Sequence, residues 1–302
     1  MRMKKDPLTL ALGDIRWETT PTGTSLGGAA AAFAARLAAL GRSVRCAGIV
    51  GADSRGDNAL VELAAWRVDT ALVQRDIAEE TESVQLDVLD DGTSVVRSHT
   101  RGAAANFAWT PELQEAADEL DVLFWSSVTQ RDPISAETFS RFLEGSPPSF
   151  KVFDIDCASG IPTQGELEAG LAVASVAHIR GRDLVAVCRI LGLPDLEPGL
   201  LGPALTERFG VSYAVLADPL QGALISSIVG EQVGMDIKRE NRGDLLGWHE
   251  ALLAGFVHHV FLGSSLARCC GAAVQYAQAV GGTNGSVAQV TDLDLESVKI
   301  GG

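Results

Sequence analysis

The segment DLLGWHEALLAGF, residues 244–256, places polar side chains at the start of an apolar helical pattern. Asp244 precedes a glycine turn, and His249 and Glu250 follow in the first helical turn. Free N–H groups at a helix N-terminus favour an anion such as phosphate, and a nearby carboxylate can take a proton from a reacting hydroxyl. An ordinary helix start is the alternative: Glu250 then favours the helix dipole by about 0.3–1 kcal/mol, Asp244 caps a turn and Trp248 belongs to the core.

The same helix also carries side chains that bind metals in other proteins, namely His249, Glu250, His258 and His259. The zinc-protease pattern H-E-x-x-H needs its second histidine where this chain has Leu253. The two adjacent histidines would point about 100° apart on a helix. We therefore expect no metal to be bound by this set.

Glycines near the N-terminus offer a second place for a ligand. Gly27 and Gly28 open an alanine-rich helix, where missing side chains let a polar molecule approach free N–H groups. The same pair also suits a plain turn packed against a helix. The dinucleotide fingerprint G-x-G-x-x-G is not found here. A further stretch, GIVGADSRGD at 48–57, surrounds Asp53 with glycines.

Apolar runs of strand length alternate with helical patterns along the chain. Strands are predicted at 8–12, 44–50, 120–126, 151–155, 174–179 and 212–217, and helices at 28–40, 56–66, 111–118, 135–144, 182–191, 203–209, 247–261 and 264–280. Runs that are apolar on both faces and are spaced by helices are typical of a mostly parallel sheet covered on both sides. Residues 82–98 instead alternate apolar and polar residues around a tight-turn signal, which predicts a β-hairpin. The expected fold is a doubly wound α/β domain with a small β-sheet lid.

Composition narrows the class of protein. The 302 residues carry a net charge of −15, and nucleic acids and anionic membranes both attract basic surfaces, so we expect neither as a partner. No apolar run is long enough for a transmembrane helix, and the N-terminus does not resemble a signal peptide. The five cysteines lie in apolar segments without a C-x-x-C pair, which indicates a reducing cytoplasm and no zinc site.

Taken together, the glycine pair, the alanine-rich helix and the motif at 48–57 resemble the N-terminal signature of the ribokinase-type carbohydrate kinases, also called the phosphofructokinase B family. The stretch GDIRWE, 13–18, is similar to the first strand of that family, and the hairpin at 83–97 is similar to its lid. The second family signature, D-T-x-G-A-G-D-x-F-x-x-G, aligns with residues 244–255. The resemblance covers nearly the whole chain.

The resemblance implies one ribokinase-like domain over residues 1–302, with a lid subdomain from about 14–25 and 82–100. It also implies ATP-dependent phosphoryl transfer to a hydroxyl of a sugar or sugar-like molecule, with Mg²⁺. The implied substrate contacts are Glu18, Gly27, Gly28 and Asp53. The implied anion hole consists of Gly247, Trp248 and His249, with Glu250 as the catalytic base.

Three further roles concern cofactors. By the same resemblance, Gly222 lies at the nucleotide, Asp183 orders Mg²⁺ through water, and Asp244 contacts a monovalent cation. A homodimer through the lid is a further expectation, because the hairpin presents an edge strand.

The chain departs from the family pattern where phosphoryl transfer takes place. Glu250 replaces an aspartate, and its extra methylene moves the carboxylate by about 1 Å, a shift that can cost about a hundredfold in rate. Trp248 and His249 replace a small Ala-Gly pair, so the indole must point away if phosphate is to reach the backbone. Arg180 stands where the family has an asparagine, and Asp218 is an added negative charge near the nucleotide. Two alternatives therefore stay open: a family member that binds a small ligand or partner without phosphoryl transfer, and a different reaction with His249 and Glu250 as an acid–base pair.

Overall fold

The computed structural model describes residues 7–145, 150–157, 159–237, 244–281, 283 and 285–287. The strands are β1 (Thr9–Leu12), β2 (Arg16–Thr20), β3 (Gly23–Gly27), β4 (Val44–Gly51), β5 (Asp69–Asp76), β6 (Ser83–Val88), β7 (Ser94–Thr100), β8 (Val122–Ser126), β9 (Phe150–Ile155), β10 (Val176–Arg180), β11 (Tyr213–Asp218), β12 (Gly222–Ser227) and β13 (Gln232–Asp236). The α-helices are α1 (Ala29–Ala39), α2 (Ser54–Ala65), α3 (Pro111–Glu119), α4 (Pro133–Gly145), α5 (Gln164–Val173), α6 (Leu184–Ile190), α7 (Pro198–Phe209), α8 (Trp248–Phe261) and α9 (Leu266–Gly281).

The main sheet has nine strands in the order β13-β12-β11-β10-β9-β8-β1-β4-β5. The strands from β11 to β5 are parallel, and β12 and β13 extend the sheet as antiparallel strands. The chain runs outward from the central β1 in both directions, so the carboxyl ends of β1, β8, β9, β10 and β11 meet at one edge. In open α/β sheets this edge is where ligands bind.

Two hydrophobic cores cover the two faces of the sheet. Side chains of β1 alternate between them, because successive residues of a strand point to opposite faces: Leu10 and Leu12 lie in one core and Ala11 in the other. The Ala11 side is packed by α1, α8 and α9, and the opposite side by α3 to α7. The doubly wound, mostly parallel fold is therefore confirmed.

A second sheet has four strands in the order β3-β2-β6-β7. Its only parallel pair among the described residues is β2 with β6, and the other two pairs are antiparallel. These strands, called the small sheet below, fall close to the predicted 14–25 and 82–100. Their action as a lid stays a prediction.

Several elements differ from the sequence predictions. Helix α7 begins at Pro198 rather than 203, because a proline suits the first helical position. Strands β5, β12 and β13 and helix α5 were not predicted. Strand β5 is half exposed at the sheet edge and lacks a continuous apolar run, whereas α5 had a readable signal, the capping box of Thr163 with Glu166. Within the described part of the chain, no helix is both long and apolar enough to cross a membrane.

Candidate active site

A cavity of about 460 Å³ lies at the carboxyl ends of the central strands, beneath the small sheet. Asp14, Val128, Asp156, Arg180 and Pro219 reach it from the ends of the main-sheet strands. Strands of the small sheet supply the facing wall, and the turn before α8 supplies a third side. The cavity therefore joins three separate parts of the chain.

Some of the predicted site residues line the cavity, and others do not. Those that line it are Glu18, Gly28, Asp244, Gly247, His249 and Glu250. The predicted residues absent from its lining are Gly27, Asp53, Trp248, Asp183 and Gly222. Proximity alone does not test a role, so each role stays a prediction.

The turn before α8 has the shape that an anion site needs. Gly247 has φ +72° and closes the turn at the helix N-cap, and a Cβ at this position would lie 2.5 Å from the carbonyl oxygen of Ser286. Trp248 is 1 % exposed, so its indole points into the core and does not fill the cavity. The N–H groups at the start of a helix lack partners within the helix. Here the N–H of Trp248 donates to the carbonyl of Leu245 at 3.3 Å, and Gly247 and His249 line the cavity on either side of it.

Glu250 lies in the cavity wall within the first turn of α8, and Arg180 contacts it. The distance from Arg180 Nη2 to Glu250 Oε1 is 3.3 Å, and the same guanidinium pairs with Asp154 at 3.1 Å and Asp156 at 3.3 Å. Burial raises the pKa of Glu250 to about 7, while Arg180 opposes the rise. Near neutral pH this carboxyl group therefore exists in both protonation states, as a general base requires.

A hydrogen-bonded chain of two histidines runs behind the cavity wall. His178 Nδ1 lies 2.7 Å from Asp154 Oδ1, and His178 Nε2 lies 3.3 Å from His249 Nδ1. His178 and Asp154 are direct neighbours in the β9–β10 register and are fully buried. Burial, together with the positive charge of Arg180, lowers the pKa of His249 well below its ordinary value.

Glu18 forms the opposite, small-sheet end of the site. Its carboxylate accepts hydrogen bonds from Arg16 at 3.2 Å, from Gly28 N at 3.3 Å and from Ser286 Oγ at 2.5 Å. Gly27 packs so closely against it that an added Cβ would lie 2.2 Å from the carboxyl carbon. At Gly28, which has φ +92°, a Cβ would lie 2.5 Å from the carbonyl oxygen of Asp14 in the loop after β1. Close packing within the protein therefore favours glycine at both positions, independently of any ligand.

Asp53 is placed outside the cavity, where it stabilises the start of α2. Its carboxylate accepts hydrogen bonds from Gly56 N at 2.7 Å, Thr81 N at 2.9 Å and Thr81 Oγ1 at 2.7 Å. These contacts join the loop after β4 to the segment that leads into β6. A direct contact of Asp53 with substrate stays a prediction.

The predicted cofactor residues lie around the cavity rather than in its wall, apart from Asp244. Asp244 accepts hydrogen bonds from Leu246 N at 3.1 Å and from Gly285 N at 3.1–3.2 Å. Gly222, at φ +118°, is required by close packing against the carbonyl oxygen of Met235.

Asp183 accepts a hydrogen bond from the backbone N–H of Cys157 at 3.0 Å, and burial raises its pKa. Among the described residues, no group of three or more His, Cys, Asp or Glu side chains could hold a metal ion by itself. Mg²⁺ at a nucleotide commonly uses one or two carboxylates, waters and the phosphates. Asp183 is buried and does not line the cavity, so its contact with Mg²⁺ through water stays a prediction.

Sequence reasoning missed Asp154, His178 and the contact of Arg180 with Glu250. The signal that could have found them is a polar residue at every second position at the carboxyl end of two otherwise apolar strands. Asp154 and Asp156 follow this pattern at the end of β9, and His178 and Arg180 follow it at the end of β10. Such pairs share one face of the sheet and meet across neighbouring strands.

Solved structures define the class of fold. A fructokinase from Vibrio cholerae O395, solved with fructose, ADP and calcium, matches with a TM-score of 0.79 at 16% identity over 98% of this chain and 99% of that chain. A putative ribokinase II from E. coli, solved with ATP and Mg²⁺, matches with a TM-score of 0.81 at 14% identity over 97% of both chains. A nucleoside kinase from Burkholderia thailandensis, solved with inosine, matches with a TM-score of 0.78 at 16% identity over 93% of both chains. These likenesses establish a ribokinase-like fold.

The sequence itself identifies the family. The profile of the pfkB family carbohydrate kinases matches residues 13–292, so the chain belongs to that family. No curated protein sequence matches it.

Proposed function

We propose that this protein transfers the γ-phosphoryl group of ATP to a hydroxyl of a sugar or sugar-like small molecule. The observation that carries the proposal is the position of Glu250. Glu250 lines the cavity in the N-terminal turn of α8, and its pKa of about 7 suits a general base. The fructokinase and the nucleoside kinase described above support a hydroxyl-bearing substrate.

In the proposed step the substrate oxygen attacks the γ-phosphorus while Glu250 takes the hydroxyl proton. The bond from phosphorus to the bridging oxygen breaks, and its electron pair leaves with ADP. The backbone at Gly247, Trp248 and His249 offers donors to the moving phosphoryl group. Arg182, which lines the cavity and is exposed, adds positive charge for the phosphates. Mg²⁺ neutralises phosphate charge when bound, and Asp183 is the residue we place behind its waters.

Calorimetric titration with ATP and Mg²⁺, with ADP as comparison, tests the nucleotide part without a guess at the sugar. We expect binding in the micromolar to millimolar range, since the indole of Trp248 leaves the turn open. A sugar and nucleoside screen for phosphoryl transfer then follows. A folded sample that binds no nucleotide at several millimolar would contradict the kinase proposal.

Glu250→Gln tests the base. We expect turnover to fall by at least about a hundredfold, because an amide cannot take the proton. Glu137→Gln is the matched control, since Glu137 is exposed, lies outside the cavity lining and pairs with Arg141 one helical turn away; its turnover should equal that of the unmodified protein. Turnover that survives Glu250→Gln would remove Glu250 from the role of base.

A second candidate is a family member that binds a small ligand or a partner without phosphoryl transfer. The contacts already made by Glu18 with Arg16 and by Glu250 with Arg180 favour it, because each carboxylate already has a cationic partner within the protein. Sugar binding without any turnover in the screen would support this candidate over the first.

The remaining proposals concern location and assembly. We place the protein in the cytoplasm because all five cysteines are free and buried.

A homodimer through strand β7 is proposed because β7 forms an edge of the small sheet and exposes about half of Val95 and Val96. A monomeric mass in solution would remove that proposal.

A further inference from the structure

The chain Asp154–His178–His249 connects a buried carboxylate to the cavity. Asp154 and His178 have no exposed side-chain surface, whereas His249 lines the cavity. Burial alone would raise the pKa of Asp154, but Arg180 and the hydrogen bond from His178 outweigh burial and lower it. Asp154 is therefore ionised and can only accept hydrogen bonds.

An ionised Asp154 fixes where the protons lie on both rings. His178 must donate through Nδ1–H, so in its neutral form its Nε2 is an acceptor. His249, 3.3 Å away, must then donate through its own Nδ1–H. A neutral His249 consequently carries no proton on Nε2, the ring nitrogen left for the cavity.

We propose that Asp154 and His178 are positioning residues that hold His249 in its Nδ1–H tautomer, so that Nε2 accepts a hydrogen bond from a second hydroxyl of the substrate. The side chain of His249 is then not a donor to phosphate, although its backbone still belongs to the anion hole. The assignment of a hydroxyl rests on the proposed function. It defines the substrate class as a polyol with a free hydroxyl close to the one that reacts at Glu250.

The tautomers can be read directly from the whole protein without any substrate. Long-range proton–nitrogen NMR correlations of the ¹⁵N-labelled protein at pH 8 distinguish protonated from unprotonated ring nitrogens. We expect His178 and His249 both to carry the proton on Nδ1 only. A proton on Nε2 of His249, or on both nitrogens of His178, would overturn the proposal.

The variant His178→Phe tests whether the hydrogen bonds from Asp154 through His178 set the tautomer of His249. Phenylalanine is similar in size and leaves the pair of Arg180 with Asp154 in place. We expect His249 to move its proton to Nε2, while the signals of His99 and His258 stay unchanged as a test of the fold. His258→Phe is the matched control and should leave His249 as it is. If His249 keeps its proton on Nδ1 in a folded His178→Phe protein, His178 does not set the tautomer and the proposal is wrong. If the variant does not fold, the spectrum of the unmodified protein alone decides.

Binding, rather than turnover, tests the hydroxyl. Pentoses and hexoses are compared with their monodeoxy analogues by calorimetry. Loss of the contacting hydroxyl should weaken binding about tenfold in the unmodified protein. It should weaken binding less than twofold in His249→Phe, because phenylalanine has no ring nitrogen to bond the hydroxyl. Equal losses in both proteins, or no sugar binding at all, would overturn the hydroxyl assignment. Sugar binding with the expected difference but without turnover would overturn only the kinase proposal.

Discussion

At the scale of single residues, two opposing effects set the charge of Glu250. Burial disfavours the ionised carboxylate and raises its pKa to about 7, while the guanidinium of Arg180 at 3.3 Å favours ionisation. Asp154 contacts the same guanidinium nitrogen, Arg180 Nη2, and its negative charge adds to the rise in the pKa of Glu250. Arg180 thus connects Glu250 to the buried Asp154.

Turnover should therefore rise with pH through about 7, as Glu250 loses its proton and becomes able to accept one from the substrate. Replacing Arg180 by Gln removes the main effect that lowers this pKa, so the midpoint should move to higher pH. The measurement is kcat/KM against pH. Arg180→Lys keeps the charge and is the control; a midpoint that stays fixed or moves down in Arg180→Gln would contradict the assignment.

The sequence predicted the cavity-lining residues at the turn before α8, because family spacing places Gly247, His249 and Glu250 next to one another in the chain. It could not predict that His178 lies against His249, because this contact joins residues 71 positions apart. The indole of Trp248 is a similar case, since only packing against the core decides which way it points.

At the scale of elements, helix α8 is preceded by one glycine and followed, after its C-cap Leu262, by another with nearly the same φ. Gly247 has φ +72° and Gly263 has φ +71°. A Cβ at Gly263 would meet nothing within 4 Å, whereas one at Gly247 would strike the carbonyl of Ser286. An alanine at Gly263 therefore reports the cost of backbone strain alone, whereas an alanine at Gly247 adds a steric conflict to that strain.

Gly263→Ala should lower the free energy of unfolding by about 1–2 kcal/mol, the ordinary penalty of a non-glycine residue in the left-handed conformation. Gly247→Ala should cost clearly more and also abolish turnover, because the turn must move to admit the methyl group. Urea unfolding of both variants measures the difference in free energy. Equal costs would mean that the turn before α8 is free to shift.

Asp53 should prove to be a structural link between α2 and the segment before the small sheet. Asp53→Ala should lower the free energy of unfolding by about 2 kcal/mol, whereas Asp57→Ala, which removes an exposed ion pair with Arg75, should cost under about 1 kcal/mol. Although burial opposes it, hydrogen bonds from Thr81 and Gly56 lower the pKa of Asp53. Its contribution is therefore present above the ordinary aspartate pKa and lost as pH falls through the lower folded value. The free energies of unfolding of Asp53→Ala and Asp57→Ala should therefore become more similar in acid. A difference that stays the same would contradict this role.

Elements were predictable where burial dictates their pattern. The central strands are continuous apolar runs, and α1 is buried along nearly its whole length, so both were visible in the sequence. Strand β13 alternates exposed and half-buried residues at the sheet edge and gave no such signal. Its place is decided by pairing with β12, which local sequence does not encode.

At the scale of the whole molecule, every cysteine is free and buried. Burial raises the pKa to about 12 for Cys46 and Cys157, and to about 11 for Cys269 and Cys270, so few thiolates are present near neutral pH. A chromogenic thiol reagent should react slowly with the native protein and with all five cysteines in denaturant. Rapid native labelling, or fewer than five thiols after unfolding, would contradict the described burial.

The short segment 285–287 has a consequence for how the protein is made. Ser286 bonds to Glu18 and accepts a hydrogen bond from Arg36, and Gly285 bonds to Asp244. The first of these contacts joins residues 268 positions apart. On the ribosome, the small-sheet end of the cavity therefore cannot be completed until residue 286 has left the exit tunnel, although the strands beneath it have long been synthesised. A nascent chain halted before that point would lack these contacts.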